Sequence, residues 1–100
     1  ATSYVSSCEV TALAEADLLD IYVYGAEAYG RDAALRYVGA LHDAFSLLAK
    51  FPKMGRVVRG FEPTCRRHEH GVHIIFYEER ADDISIIRLV HRSQLKRLPF

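Results

Sequence analysis

The sequence predicts an α+β domain with element order β-α-α-β-β-β, in which a helical hairpin covers one face of a small antiparallel sheet. Three observations carry that reading. Between Ala12 and Lys50 the apolar residues recur at helical spacing, interrupted at Gly30. From Cys65 onward the period changes to that of a strand. The connections Glu69-His70-Gly71 and Arg80-Ala81-Asp82-Asp83 are of turn length, so three consecutive strands form an antiparallel meander.

Taken in order, Tyr4 to Val10 carries the β-formers Tyr4, Val5 and Val10 and reads as a first strand. Thr11 stands where a helix N-cap belongs, because its hydroxyl can accept one of the free N–H groups of the first turn. In the helix that follows, Leu18, Ile21, Tyr22, Gly25 and Ala28 share one face, and Asp17, Asp20, Tyr24 and Glu27 share another. Gly30 ends it, since glycine accepts the left-handed conformation without steric cost. The second helix is the clearest element. Ala34, Val38, Leu41, Phe45 and Leu48 form an apolar stripe opposite Asp32, Arg36, Gly39, Asp43, Ser46 and Lys50, ending near Phe51-Pro52. A connection as short as Gly30 forces the two helices antiparallel. After a loop from Lys53 and a polar connector around Gly60 and Pro63, strands are expected at Cys65 to His68, Val72 to Glu78 and Ile84 to His91. The tail from Arg92 to Phe100 reads as a short helix or an extended arm.

The 100 residues make one domain over 1–100, and half are hydrophobic, enough for a core of its own but a marginal one that a partner would help. No apolar run reaches the roughly 18 residues that cross a bilayer, and Ala1-Thr2-Ser3-Tyr4 does not begin like a signal peptide. The expectation is a cytoplasmic protein without a membrane partner. Cys8 and Cys65 match no metal or redox spacing and are expected as buried thiols, with no metal and no cofactor. A formal net charge of zero argues against direct, specific or bulk nucleic-acid binding by the chain alone. The charges are nevertheless segregated. Residues 1–45 carry seven acids and two bases, and residues 46–100 carry six acids and eleven bases. The second half can therefore present a basic surface.

Alternation assigns the sheet faces. Val72, Ile74 and Phe76 form a wholly apolar set and are expected beneath the helices, leaving His73, Ile75 and Tyr77 outward. Arg88 is expected outward, or at a sheet edge where it can pair, because arginine is almost never buried alone. Arg67, on the neighbouring strand, and His91, at the strand end, complete an expected partner-binding set of Arg67, His73, Ile75, Tyr77, Arg88 and His91. An outward Ile75 implies a covered surface, and the basic half implies an acidic and apolar cover. The same residues have structural readings: Arg67 and Arg88 can pair with Glu62, Glu69 or Glu78, and Tyr77 can pack at an edge.

Four segments carry a family resemblance. Cys65-Arg66-Arg67-His68 through Gly71-Val72-His73-Ile74-Ile75-Phe76-Tyr77 resembles the pattern Y/F-R-x…G-x-H-x-I-F-Y. Ile84-Ser85-Ile86-Ile87-Arg88-Leu89-Val90-His91 resembles I-x-I-x-R-V-L-H. Ala14-Glu15-Ala16-Asp17-Leu18 resembles A-x-A-D-L, and Phe51-Pro52-Lys53-Met54-Gly55-Arg56 resembles F/H-P-x-x-G-R. These are patterns of ParE-like toxins of the RelE/ParE type II toxin–antitoxin superfamily, and they run in order from about Thr11 to His91. The resemblance implies a cytoplasmic, non-enzymatic toxin that acts on DNA gyrase. It also implies a hetero-oligomer with a ParD-like antitoxin. The rival within the superfamily is a RelE-like, ribosome-dependent mRNA endonuclease. In that reading His73 or His91 moves protons, Tyr77 supplies a hydroxyl and Arg88 contacts phosphate. The neutral net charge weighs against it, because a protein seated in ribosomal RNA is expected to be strongly basic.

Overall fold

The computed structural model describes residues 3–4, 8–60 and 64–97. Its elements are β1 (Ser3–Tyr4), β2 (Cys8–Val10), α1 (Ala12–Tyr29), α2 (Arg31–Lys50), β3 (Arg56–Val58), β4 (Cys65–His70), β5 (His73–Glu79) and β6 (Ile84–His91). Short helices of the tighter type span Pro52–Met54 and Arg92–Arg97. Among the described residues six strands form one sheet, ordered β1-β2-β6-β5-β4-β3. Both long helices pack on one of its faces, and none is long and apolar enough to cross a membrane. The α+β class and the helical hairpin are as expected.

The sheet differs from expectation in two places. It is mixed, because β2 runs parallel to β6 while β3–β4–β5–β6 is antiparallel throughout. The meander leaves the outer edge of β6 open, and β2 fills it while leading directly into α1. Thr11 fixes this junction. Its N–H donates to the Ile86 carbonyl at 3.2 Å. Its hydroxyl donates toward the Ile86 and Ile87 carbonyls and accepts the Ala14 N–H, so a single side chain caps the helix and ties it to the sheet. Strand β3 is the second difference. It occupies the edge beside β4, and three residues are too few to show alternation in sequence. The expected first strand, Tyr4 to Val10, appears as β1 and β2; residues 5–7 lie outside the described residues.

The faces of β5 are inverted relative to expectation. Ile75 and Tyr77 are fully buried under the helices, with Leu41, Phe45 and Leu48 of α2, Ala14 and Leu18 of α1, and Ile84, Ile86 and Leu89 of β6. Ile74 and Phe76 lie on the far side, in a smaller cluster with Cys65 and Val90. Val58, Ile87 and Leu95 pack around that cluster. The far face is therefore not open beneath these residues. Ile75 and Tyr77 can fill a core as Ile74 and Phe76 can, and the tail helix supplies Leu95 as a cover that alternation could not announce. Burial of each large apolar side chain in the main core contributes about 1.5–3 kcal/mol.

Tyr77 belongs inside because its hydroxyl finds partners there. It donates to the Pro52 carbonyl at 2.5 Å and accepts the Gly55 N–H at 2.9 Å. Arg66 donates to the Gly55 carbonyl at 2.8 Å. A Cβ on Gly55 would meet the Tyr77 oxygen at 2.5 Å, so the residue following the Pro52–Met54 turn must be glycine for the phenol to close this end of the hairpin. Burial raises the Tyr77 pKa, keeping the phenol protonated as a donor.

Candidate functional site

A cleft of about 820 Å³ lies between the helical hairpin and the sheet. Asp17 and Tyr24 of α1, Tyr37 of α2, His73 of β5, and Arg88 and His91 of β6 all line it. Gly25 sits at the hairpin crossing, where an added Cβ would stand 3.3 Å from the Ala34 Cβ. The helices thus approach closely beside the cleft.

One wall is a polar chain. The Tyr37 oxygen is 2.7 Å from His73 Nδ1 and 3.2 Å from the His70 carbonyl, to which it donates. Gly71 makes this possible in two ways. It takes φ 57°, and a Cβ there would lie 2.8 Å from the Tyr37 oxygen. The His73 and His91 rings meet edge to face, with centroids 5.4 Å apart. His91 Nδ1 accepts the Ser93 N–H at 3.1 Å, so the neutral ring carries its proton on Nε2. Burial, then the neighbouring His91 and His70, hold the His73 imidazole below its ordinary value of 6.5. His73 is therefore mostly uncharged at neutral pH, and the wall offers ring N–H and lone-pair positions to an incoming partner.

The other wall is an ion pair at a strand edge. Strand β2 stops at Val10, opposite Ile86, and beyond it the edge of β6 is unpaired by strand. Asp17 takes over there. One carboxylate oxygen accepts the Leu89 N–H at 2.8 Å, and the carboxylate receives two donations from Arg88, at 2.8 and 3.1 Å. Arg88 reaches it because β6 carries a register shift: Phe76 faces Arg88 while Tyr77 faces Ile86, making Ile87 the extra residue. Arg88 is thus at an edge and paired, one of the two placements expected, though with Asp17 and not with the acids considered from sequence.

The six expected partner-binding residues separate into three groups. His73, Arg88 and His91 share the cleft. Ile75 and Tyr77 are buried beneath the helices and present nothing to a partner, which corrects their outward assignment. Arg67 lies on the opposite face, aligned with Phe76 and Arg56, and its Nε is buried without a hydrogen-bond partner. The nuclease set of His73, Tyr77, Arg88 and His91 does not assemble: Tyr77 is engaged by backbone groups at the far end of α2, and Arg88 by Asp17. Sequence reading missed Tyr37 and Asp17 as site residues. Tyr37 could have been found, because a tyrosine on an apolar helical stripe needs a polar partner for its hydroxyl. Cys8 and Cys65 are buried free thiols, and burial pushes the Cys8 thiol up to about 12, leaving it protonated.

Comparison with known proteins agrees with this architecture. The family model for the ParE toxin of the type II toxin–antitoxin system parDE matches residues 8–96. Toxin ParE1 of Caulobacter vibrioides is 32% identical over 84 residues, covering 84% of this chain and 86% of the relative. A solved structure described as the chromosomal ParDE system from P. aeruginosa superposes with a TM-score of 0.71, covering 89% of this chain and 98% of that one. At 23% identity it speaks to the fold.

Proposed function

The chain belongs to the ParE toxin family of type II toxin–antitoxin systems, and from that premise we propose that it acts in the cytoplasm as an inhibitor of DNA gyrase held in check by a ParD-like antitoxin. The match over residues 8–96 carries the reading. The cleft supports the antitoxin half of it. It is a concavity between hairpin and sheet, it gathers His73, Arg88 and His91, and it is rimmed by apolar surface. An antitoxin segment seated there would bury Tyr24 and the ring of Tyr37 and meet the His91 Nε2–H. Arg67 offers a second contact if the segment continues around the sheet. The basic excess of residues 46–100 favours an acidic segment.

The toxin would act by binding and not by catalysis. The engaged side chains of Tyr77 and Arg88 favour this over RNA cleavage, which needs them free to reach a phosphate. The test is supercoiling by purified gyrase with and without the protein. Inhibition with accumulated cleaved DNA, relieved by the antitoxin, is the expected result. Unchanged supercoiling at large excess, together with mRNA cleavage on translating ribosomes, would overturn it.

A further inference from the structure

Helix α1 carries an apolar surface that neither the core nor the cleft uses. Its buried side is Ala14 and Leu18. On the opposite side Ala12, Ala16, Leu19 and Val23 follow one another at helical spacing, all exposed, with Leu19 at 61% and Val23 at 44%. A helix of a lone domain ordinarily turns polar residues to this side. The stripe runs for roughly 16 Å, about three turns, and its alanines would let another helix approach closely.

The charges beside it are of one sign. Glu15 flanks one side of the stripe, and Asp20 and Glu27 flank the other. The whole of α1 holds four acids and no base. Pairing with a second copy of α1 would bring these carboxylates together, which disfavours self-association through this face. We propose that the outer face of α1 is a docking surface for an amphipathic helix of another protein, one whose apolar stripe is bordered by lysines or arginines. This surface selects a charge opposite to that expected of an antitoxin segment drawn to the basic half of the chain. It does not depend on the gyrase or antitoxin reading.

The probe is a synthetic amphipathic helix with leucines at helical spacing flanked by lysines, compared with a twin flanked by glutamates. Each is titrated into the isotope-labelled full chain and followed by amide shifts. Binding of the lysine peptide, with shifts at Ala16, Leu19 and Val23 and at least about tenfold weaker binding of the glutamate twin, is expected. Leu19→Glu should weaken binding by about tenfold or more, and circular dichroism should show the fold intact because Leu19 faces away from the core. A Glu15→Lys/Glu27→Lys double variant keeps the stripe and should reverse the preference toward the glutamate peptide. Equal binding of the twins, no binding of either, or shifts confined to the cleft would overturn the proposal. So would a dimer in sedimentation that Leu19→Glu dissociates.

Discussion

Helices α1 and α2 lie on the same sheet face, yet they distribute their residues differently. Helix α2 buries Ala34, Leu41, Ala44, Phe45 and Leu48 and turns Arg31, Asp32, Arg36, Asp43 and Lys50 to solvent, together with the separated leucines Leu35 and Leu47. Helix α1 buries only Ala14 and Leu18 and leaves Leu13, Leu19, Val23 and Tyr24 exposed. The first pattern is that of a helix stabilised by its own core. The second is that of a helix whose surplus apolar surface contributes nothing to the isolated fold. Each also carries within its span a polar latch to the sheet, Asp17 on α1 and Tyr37 on α2.

The widest separation between them should appear on truncation. Phe45→Ala removes a fully buried ring from the centre of the α2 stripe and should cost about 3–5 kcal/mol. Leu19→Ala removes a comparable apolar group from α1 and should change stability by no more than about 0.5 kcal/mol. Denaturant melts of the two variants measure the contrast directly. A Leu19→Ala loss approaching that of Phe45→Ala would mean the α1 stripe is already packed within the free protein, and the contrast would collapse.

The α1 latch should show the next effect. Asp17 serves two roles, pairing with Arg88 and accepting the Leu89 N–H where β2 ends. Asp17→Ala leaves that N–H without its acceptor and should cost about 1–3 kcal/mol. Arg88→Ala removes only an exposed pairing partner and should cost about 0–1 kcal/mol. Asp17 should therefore exceed Arg88 in the same melts. If Arg88→Ala instead abolishes the cooperative transition, the ion pair, and not the capped strand edge, holds α1 down.

Much of this was legible in sequence, and the parts that were not share a cause. Helix spans, the Thr11 cap, the Gly30 break and β6 from Ile84 to His91 follow from local period and cap chemistry, and the structure has them. The faces of β5 do not follow, because Ile74 and Phe76 are as apolar as Ile75 and Tyr77. What decides between them is non-local: a phenol that fits the end of α2, and Leu95 arriving from the tail. The site divides the same way. His73 and His91 came together as cross-strand neighbours of a recognisable meander. The Asp17–Arg88 pair depends on an extra residue in β6 and on a contact spanning most of the chain, neither of which alternation can show.

The smallest effect concerns the α2 latch and is a dependence on pH. The folded-state pKa of His73 lies below the ordinary value of 6.5, through burial and then the neighbouring His91 and His70 rings. Above that value folded and unfolded chains both hold the ring neutral, and it adds no pH dependence. As pH falls through 6.5 the unfolded chain takes up a proton that the folded chain resists, so stability is lost on acidification until the folded ring titrates as well. His68, lowered mainly by burial, acts in the same direction. Thermal melts between about pH 7.5 and 5 should therefore show a falling Tm, and His73→Gln should flatten the slope without removing it, since His68 remains. A variant whose slope matches wild type would mean that the Tyr37–His73 contact yields to the proton, leaving α2 held by its apolar stripe alone.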